Sequence, residues 1–429
     1  MFAKKTKKNF TILKHSQLFH HSFAVLPALA GLLFIFIFVM CYKPISTHTS
    51  NPDERWVGTW STAEQLVEPR NLPPEPGLTN NTLRQVIHVS IGGSRLRVKF
   101  SNEFSTSPVT MKAVHIAASA GNSAIVPETD KELMFDGKPQ YTMAAGTAVT
   151  SDPFDFKLMP LSNVTITIYF GETSPDVTGH PGSRTTSYIL TGNNVSAKEF
   201  SNAVQTDHWY TINGIDVVNT DSAAAVAVLG NSITDGRGSG TNKQDRWPDE
   251  LSIRLQSNPA TRHVAVLNEG IGGNCVLRMC LGPSALSRFK RDVLEQSGVR
   301  WLIILEGIND IGQAHGAEGS AKVATDLIAA FKQMIDSAHA SGIRVYGATL
   351  LPFGGSFYYT PDHESAWKTV NEWIRSSGRF DGVIDFDAAL RDPANPLQLL
   401  PIADSGDHLH PSELGHRMMA EAVNLALFK

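Results

Sequence analysis

The chain is poor in cysteine, with 3 in 429 residues. That excludes a disulfide-dense scaffold and a four-cysteine zinc site. It has no excess of charge of one sign either. Lys plus Arg number 37 and Asp plus Glu 41, a net charge of −4, so nothing electrostatic favours nucleic acid as a partner. None of the 15 histidines forms an H-E-x-x-H pair. The glycine-rich run Gly236-Arg237-Gly238-Ser239-Gly240 lacks the Lys-Ser/Thr ending of a P-loop. No metal or cofactor is expected, and that run reads instead as a mobile lip of a site. Disorder is excluded too, since 42% of the residues are hydrophobic and 18% charged.

A targeting segment comes first. Residues 1–22 hold Lys4, Lys5, Lys7, Lys8 and Lys14 and no acid, and Phe23 to Cys41 follows without a charge. At about 1.5 Å per residue that apolar run spans roughly 28 Å, close to the hydrocarbon thickness of a bilayer. The basic flank fits a positive-inside orientation. Residues 1–43 therefore read as a signal peptide or an uncleaved signal anchor. Phe38, Val39 and Met40 lack the small side chains that a lipoprotein site before Cys41 needs. Residues 44–54 read as a linker. The remainder is expected to be exported: periplasmic, extracellular, or anchored with its catalytic part outside. Membrane contact is expected only through the N-terminal segment.

Beyond the linker two hydrophobic periods divide the chain. In residues 55–215 apolar side chains alternate with polar ones, as Leu96, Val98 and Phe100 do with Arg95, Arg97 and Lys99. Val164, Ile166, Ile168 and Phe170 alternate in the same way. Period two predicts strands with one buried face, hence an antiparallel β-sandwich. Gly92-Gly93 between two such runs predicts a hairpin. In residues 221–429 continuous apolar runs replace the alternation: Ala223 to Leu229, Val264 to Leu267, Trp301 to Leu305, Val345 to Leu350 and Val383 to Phe386. Helical segments separate them. One is striped by Val323, Leu327, Phe331, Met334 and Ala338, and the last covers Ser412 to Phe428. Strand alternating with helix predicts a parallel sheet covered on both faces.

In such sheets ligands lie beyond the carboxyl ends of the strands. The first buried run is followed by Gly230-Asn231-Ser232, the second by Gly270-Ile271-Gly272-Gly273-Asn274, and the third by Gly307-Ile308-Asn309-Asp310. Asp407-His408-Leu409-His410 precedes the final helix. Ester hydrolysis needs a nucleophile, a base, a group that orients the base, and donors for an oxyanion. Each type is present at one of these places.

From about Ala223 onward these blocks resemble the Ser-Gly-Asn-His (SGNH, or GDSL-like) hydrolase family of esterases and lipases. The resemblance implies a flavodoxin-like α/β/α hydrolase domain, here preceded by an antiparallel β-sandwich domain as in some exported members. By position, Ser232 corresponds to the nucleophile, His410 to the general base and Asp407 to the acid that orients it. The N–H groups of Ser232 and Gly273 and the Asn309 side chain correspond to the oxyanion hole. Asp404 and His408 are decoys off the D-x-x-H spacing. Asn231 stands where the family usually has Asp, which keeps the hydrogen-bonding shape but removes a charge.

Cys275 and Cys280 follow the oxyanion glycine in an exported domain, where a disulfide between them is expected over two packed thiols. The expected substrate is an ester, with short acyl groups on a carbohydrate or other polar carrier. Lipase or lysophospholipase activity is the alternative, then an acyltransferase or an inactive glycan-binding relative. Phe353, Phe357, Tyr358 and Tyr359 could line an acyl channel, stack on sugars or merely cover the sheet edge.

Overall fold

Alternation in the first half becomes two antiparallel sheets. They belong to a computed structural model that describes residues 54–219 and 222–429, so the targeting segment and most of the linker lie outside the described residues. One sheet runs Trp56–Ser61, Ile212–Val218, Gly93–Ser101 and Phe154–Leu158. The other has Val204–Thr206, Ser187–Thr191, Asn81–His88, Asn163–Phe170, Val109–Gly121 and Ala124–Ile125 in that order. Leu96, Val98 and Phe100 from the first meet Val114, Ile116, Ile166 and Ile168 from the second in one core. Thr165 and Thr167, expected on a solvated face, are buried as well. The segment after Asn193 covers them, and its carbonyls of Val195 and Ala197 accept from the buried Arg84 guanidinium at 3.2 and 2.8 Å.

Gly92-Gly93 does not close a hairpin. Asn81–His88 pairs with Asn163–Phe170 and Ser187–Thr191, whereas Gly93–Ser101 pairs with Ile212–Val218 and Phe154–Leu158. The turn hands the chain from one sheet to the other. Its glycine answers to close approach instead, because a Cβ on Gly92 would lie 2.4 Å from the Leu158 carbonyl oxygen.

The second half forms a five-stranded parallel sheet. Its order is Val264–Gly270, Ala224–Gly230, Val299–Leu305, Arg344–Ala348, Gly382–Ile384, the second strand lying outside the first. That is the flavodoxin-like order expected from the resemblance. The striped segment is the helix Gly316–Ala340, which buries Leu327, Phe331, Met334 and Ala338. The last helix covers Glu413–Ala422, starting from the Ser412 side chain, which accepts from the Gly415 N–H at 3.2 Å.

Both halves lie in one compact unit, Asp53–Lys429. Side chains along Val264–Gly270 show how they join. Val264 and Val266 enter the core shared with the helices, while Ala265 and Leu267 enter the core of the antiparallel sheets, with Val57. Alanines at 223, 225 and 265 keep that face low, so the β-rich half can seat directly on it. Backbone bonds cross the seam: the Gly58 N–H donates to the Ser297 carbonyl at 2.8 Å, and the Val266 N–H to Ser90 Oγ at 3.2 Å.

Glu64, Glu269 and Glu306 are among the carboxyl groups buried near this seam and the strand ends. Burial pushes all three up, Glu64 and Glu306 to about 8 from 4.5. The folded chain then holds protons that the unfolded chain releases above about pH 4.5. Their contribution to stability is complete below that value and lost as pH rises through about 8. Burial also keeps His410 and His416 neutral in the fold, and above about pH 6.5 they are neutral unfolded too, so they add no slope there. Thermal melts should give a lower Tm at about pH 9 than at about pH 6.5, and Glu306→Gln should flatten part of that slope. A Tm that rises over the interval would refute the assignment.

Candidate active site

Register brings the strand ends level. Gly230 at the end of the first parallel strand lies opposite Gly270 of the second and Leu305 of the third. The loops that follow are therefore neighbours. After Gly230 the chain turns into one helical turn, Ser232–Asp235, capped by Asn231, whose Oδ1 accepts from the Ile233 N–H at 3.1 Å. This turn lies so close to the second strand that a Cβ on Gly270 would be 2.3 Å from the Asp235 nitrogen.

Ser232, His410 and Asp407 stand in one hydrogen-bonded line. Ser232 Oγ lies 2.8 Å from His410 Nε2, and His410 Nδ1 lies 2.7 Å from Asp407 Oδ2. The carboxylate only accepts, so Nδ1 carries the ring proton and Nε2 is left to accept from the serine hydroxyl. Asp407 Oδ1 also accepts from the backbone N–H groups of His410 and Leu409, at 2.9 and 3.1 Å. Burial raises the Asp407 carboxyl, but those bonds outweigh it and hold the group down at about 2. His410 is pushed below its ordinary 6.5 by burial, with Asp407 opposing and the positive charges of Arg237 and Arg184 assisting. The ring is thus a free base at neutral pH. The decoys pair with each other: His408 Nδ1 lies 2.6 Å from Asp404 Oδ2.

Gly273 and Asn309 line the same cleft as Ser232. Gly273 has φ 71°, a backbone that favours glycine. The orientation of the Asn309 amide is fixed from both ends. Its Nδ2 donates to the Asn274 carbonyl at 2.7 Å, and its Oδ1 accepts from the Tyr358 hydroxyl at 3.1 Å. One N–H remains for the cleft that Asn309 lines. Cys275 and Cys280 are joined in a disulfide with a Cα separation of 5.6 Å. It closes the loop that follows Gly273.

A buried cation ties these loops together. Arg288, 2% exposed, donates to the Gly230 carbonyl at 3.0 Å and to the Glu269 carbonyl at 2.7 Å. It also donates to Asn274 Oδ1 and Asp292 Oδ2, each at 3.0 Å. Nearby, Asn231 Nδ2 donates to Glu306 Oε2 at 3.3 Å. An aspartate at 231 would set two buried carboxyls against each other, so the amide suits its partner.

The cleft above Ser232 has a volume of about 490 Å³. The parallel-sheet half contributes Leu281, Phe357 and Tyr358 alongside the residues already described. Phe353 is buried against Trp367, and Tyr359 donates to Glu364 at 2.7 Å; neither is among the lining residues. The β-rich half supplies the opposite wall, including Glu68, Arg70, His180, Arg184 and His208. Its His180 Nε2 lies 2.9 Å from Asp235 Oδ1, and its Nδ1 lies 2.8 Å from the Ala63 carbonyl. Sequence reasoning missed this wall and Arg288 alike. Neither lies in a motif, and their positions follow only from the packing of the two halves.

Removing Arg288 should be costly, because several acceptors and Asp292 would lose a buried partner. Arg288→Met is expected to lose about 3–5 kcal/mol of stability. Urea denaturation checks it, and a loss under about 1 kcal/mol would mean that water or rearrangement replaces the guanidinium.

Residues 228–418 match the GDSL-like Lipase/Acylhydrolase family. No curated protein matches the chain. Among solved structures, it is similar to a G-D-S-L family protein from Desulfitobacterium hafniense DCB-2, with 24% identity, 46% of this chain and 97% of that one covered, and a TM-score of 0.36. A GDSL-like lipase from Bacteroides thetaiotaomicron VPI-5482 shows 19% identity over 49% of this chain and 90% of its own, with a TM-score of 0.35. An acetylxylan esterase from Geobacillus stearothermophilus shows 20% identity over 47% and 94%, with a TM-score of 0.35. The four sequence blocks and the parallel-sheet topology agree with the family match over residues 228–418, somewhat under half of the chain, which carry a GDSL-like lipase/acylhydrolase domain.

Proposed function

We propose that the protein is an exported serine esterase that acts through an acyl-enzyme on Ser232. The line from Ser232 Oγ through His410 to Asp407 carries this reading. Ser232 Oγ attacks the ester carbonyl while its proton passes to His410 Nε2. Asp407 holds the ring in the tautomer that can accept and stabilises the imidazolium. Charge on the carbonyl oxygen is met by the N–H groups of Ser232 and Gly273 and the remaining N–H of Asn309. Collapse breaks the bond to the alkoxy oxygen, which leaves with the proton from His410. Water, deprotonated by the same ring, then releases the acid.

Export is supported by the lysine-flanked apolar run and by the Cys275–Cys280 disulfide, which suits an oxidising compartment. A small acyl group on a polar carrier is supported by the cleft. Leu281, Phe357 and Tyr358 give a limited apolar surface, whereas the β-rich wall is charged and polar.

Ser232→Ala and His410→Ala should each lower kcat on an activated acetate ester by several orders of magnitude, with the fold retained by circular dichroism. Near-normal turnover by Ser232→Ala would sink the assignment. Asn309→Ala should raise the barrier by about 2.7–4 kcal/mol and act on kcat more than KM, whereas a change in KM alone would assign Asn309 to substrate binding. Activity requires neutral His410, so the acid limb of kcat/KM should have its midpoint below about pH 6.5. Across p-nitrophenyl esters, acetyl or butyryl should be preferred. An optimum at about twelve carbons would favour a lipase, since each buried methylene contributes about 0.8 kcal/mol.

A further inference from the structure

Three arginines line the cleft: Arg70 and Arg184 from the β-rich half, and Arg237 from the loop after Ser232. Among the described residues, none of them is paired with a carboxylate. The acidic groups of the same cleft are engaged elsewhere. Glu68 accepts from Gln65 at 2.6 Å and Asn71 at 2.9 Å within its own turn, and buried Asp235 faces His180. Arg184 is unusual on two further counts. Its Nε is buried without a hydrogen-bond partner, and its backbone has φ 51°, a left-handed conformation rare for arginine. A left-handed backbone at arginine costs energy, and such strain clusters at active sites and ligand clamps. The Nε, closed off from the cleft, adds to the cost of holding the side chain there.

The packing of these loops gives the cations a side. The Arg237 carbonyl accepts from His416 Nε2 at 3.1 Å, and a Cβ on Gly238 would lie 2.0 Å from the Pro411 oxygen. Arg237 is therefore anchored to the segment that carries His410. Arg184 rests on the same loop system, its carbonyl accepting from the Asn242 N–H at 2.9 Å. Lowering of the His410 pKa by both charges agrees with this placement. In ester cleavage, His410 gives its proton to the departing oxygen, so the alcohol part lies on the His410 side and the carbonyl oxygen on the Asn309 side. We propose that Arg184 and Arg237, with Arg70 at the rim, form a subsite for an anionic group carried on the alcohol part of the substrate. This names the substrate class of the esterase reading and rests on it. A carboxylate and a sulfate or phosphate ester share the required chemistry, since each offers paired acceptor oxygens to a guanidinium fork.

The test compares 4-acetoxybenzoate, its neutral methyl ester and 4-acetoxyphenyl sulfate on the full protein. The readout is the ratio of kcat/KM for an anionic ester to that for the neutral one. Dividing the wild-type ratio by a variant's ratio cancels the intrinsic reactivity of the esters and any common loss of active protein. Arg184→Gln and Arg237→Gln should each lower the ratio by about tenfold or more, and Arg184→Lys should lower it less. Added salt should compress the wild-type ratio, because Arg237 is exposed. Whichever anion's ratio falls further on substitution identifies its source as carboxylate or sulfate-like. A ratio that neither substitution changes would overturn the inference while leaving the esterase reading intact. Failure of the wild type on all three esters would overturn the esterase reading, and this inference with it.

Discussion

One buried guanidinium holds the site's geometry. Arg288 donates to the ends of two strands and to the loop that follows Gly273. Its planar fork suits this task because its donors are fixed relative to one another, so acceptors on separate chain segments become fixed too. Charge makes the arrangement stable only while Asp292 is paired with it. Asn274 carries the constraint onward. Its side chain accepts from Arg288 and its carbonyl accepts from Asn309, so the amide that faces the cleft is two contacts away from the cation. Precision here comes from a relay of hydrogen bonds behind the site rather than from the reacting groups themselves.

The β-rich half has a matching role. Its seat on the parallel sheet depends on side-chain size: alanines where a helix-covered sheet would carry valine or leucine. Without that close approach, the loop carrying His180 and Arg184 could not reach Asp235, against which a Cβ on Gly182 would lie only 2.0 Å from Oδ2. The cleft is therefore composite. Chemistry lies in one half, and about as much of the wall comes from the other.

Much of this was legible in the sequence because its causes are local. Continuous apolar runs marked the parallel strands and the three- and four-residue stripe the Gly316–Ala340 helix, while the resemblance to the hydrolase family, through its D-x-x-H spacing, singled out Asp407 and His410 over Asp404 and His408. What escaped depends on contacts between distant segments. Gly92-Gly93 looked like a hairpin because a glycine pair has the same local freedom in a crossing between sheets as in a turn between paired strands. Thr165 and Thr167 looked solvated because nothing in their strand announces the loop that covers them. Arg184 lies in no motif, and only the fold brings it into the cleft that Ser232 lines.

Asn231 shows how the two kinds of information meet. In sequence it is a departure from the expected aspartate, with no visible compensation. In the fold its Oδ1 caps the Ser232 turn, a task an aspartate would do as well, while its Nδ2 donates to Glu306, a task an aspartate could not do. Glu306 is buried and already keeps its proton up to about pH 8, so an aspartate beside it would push it higher still and would itself be hard to ionise. The amide removes that conflict immediately behind the serine. It leaves the electrostatics of the site to Asp407 on one side and to the arginines of the cleft on the other.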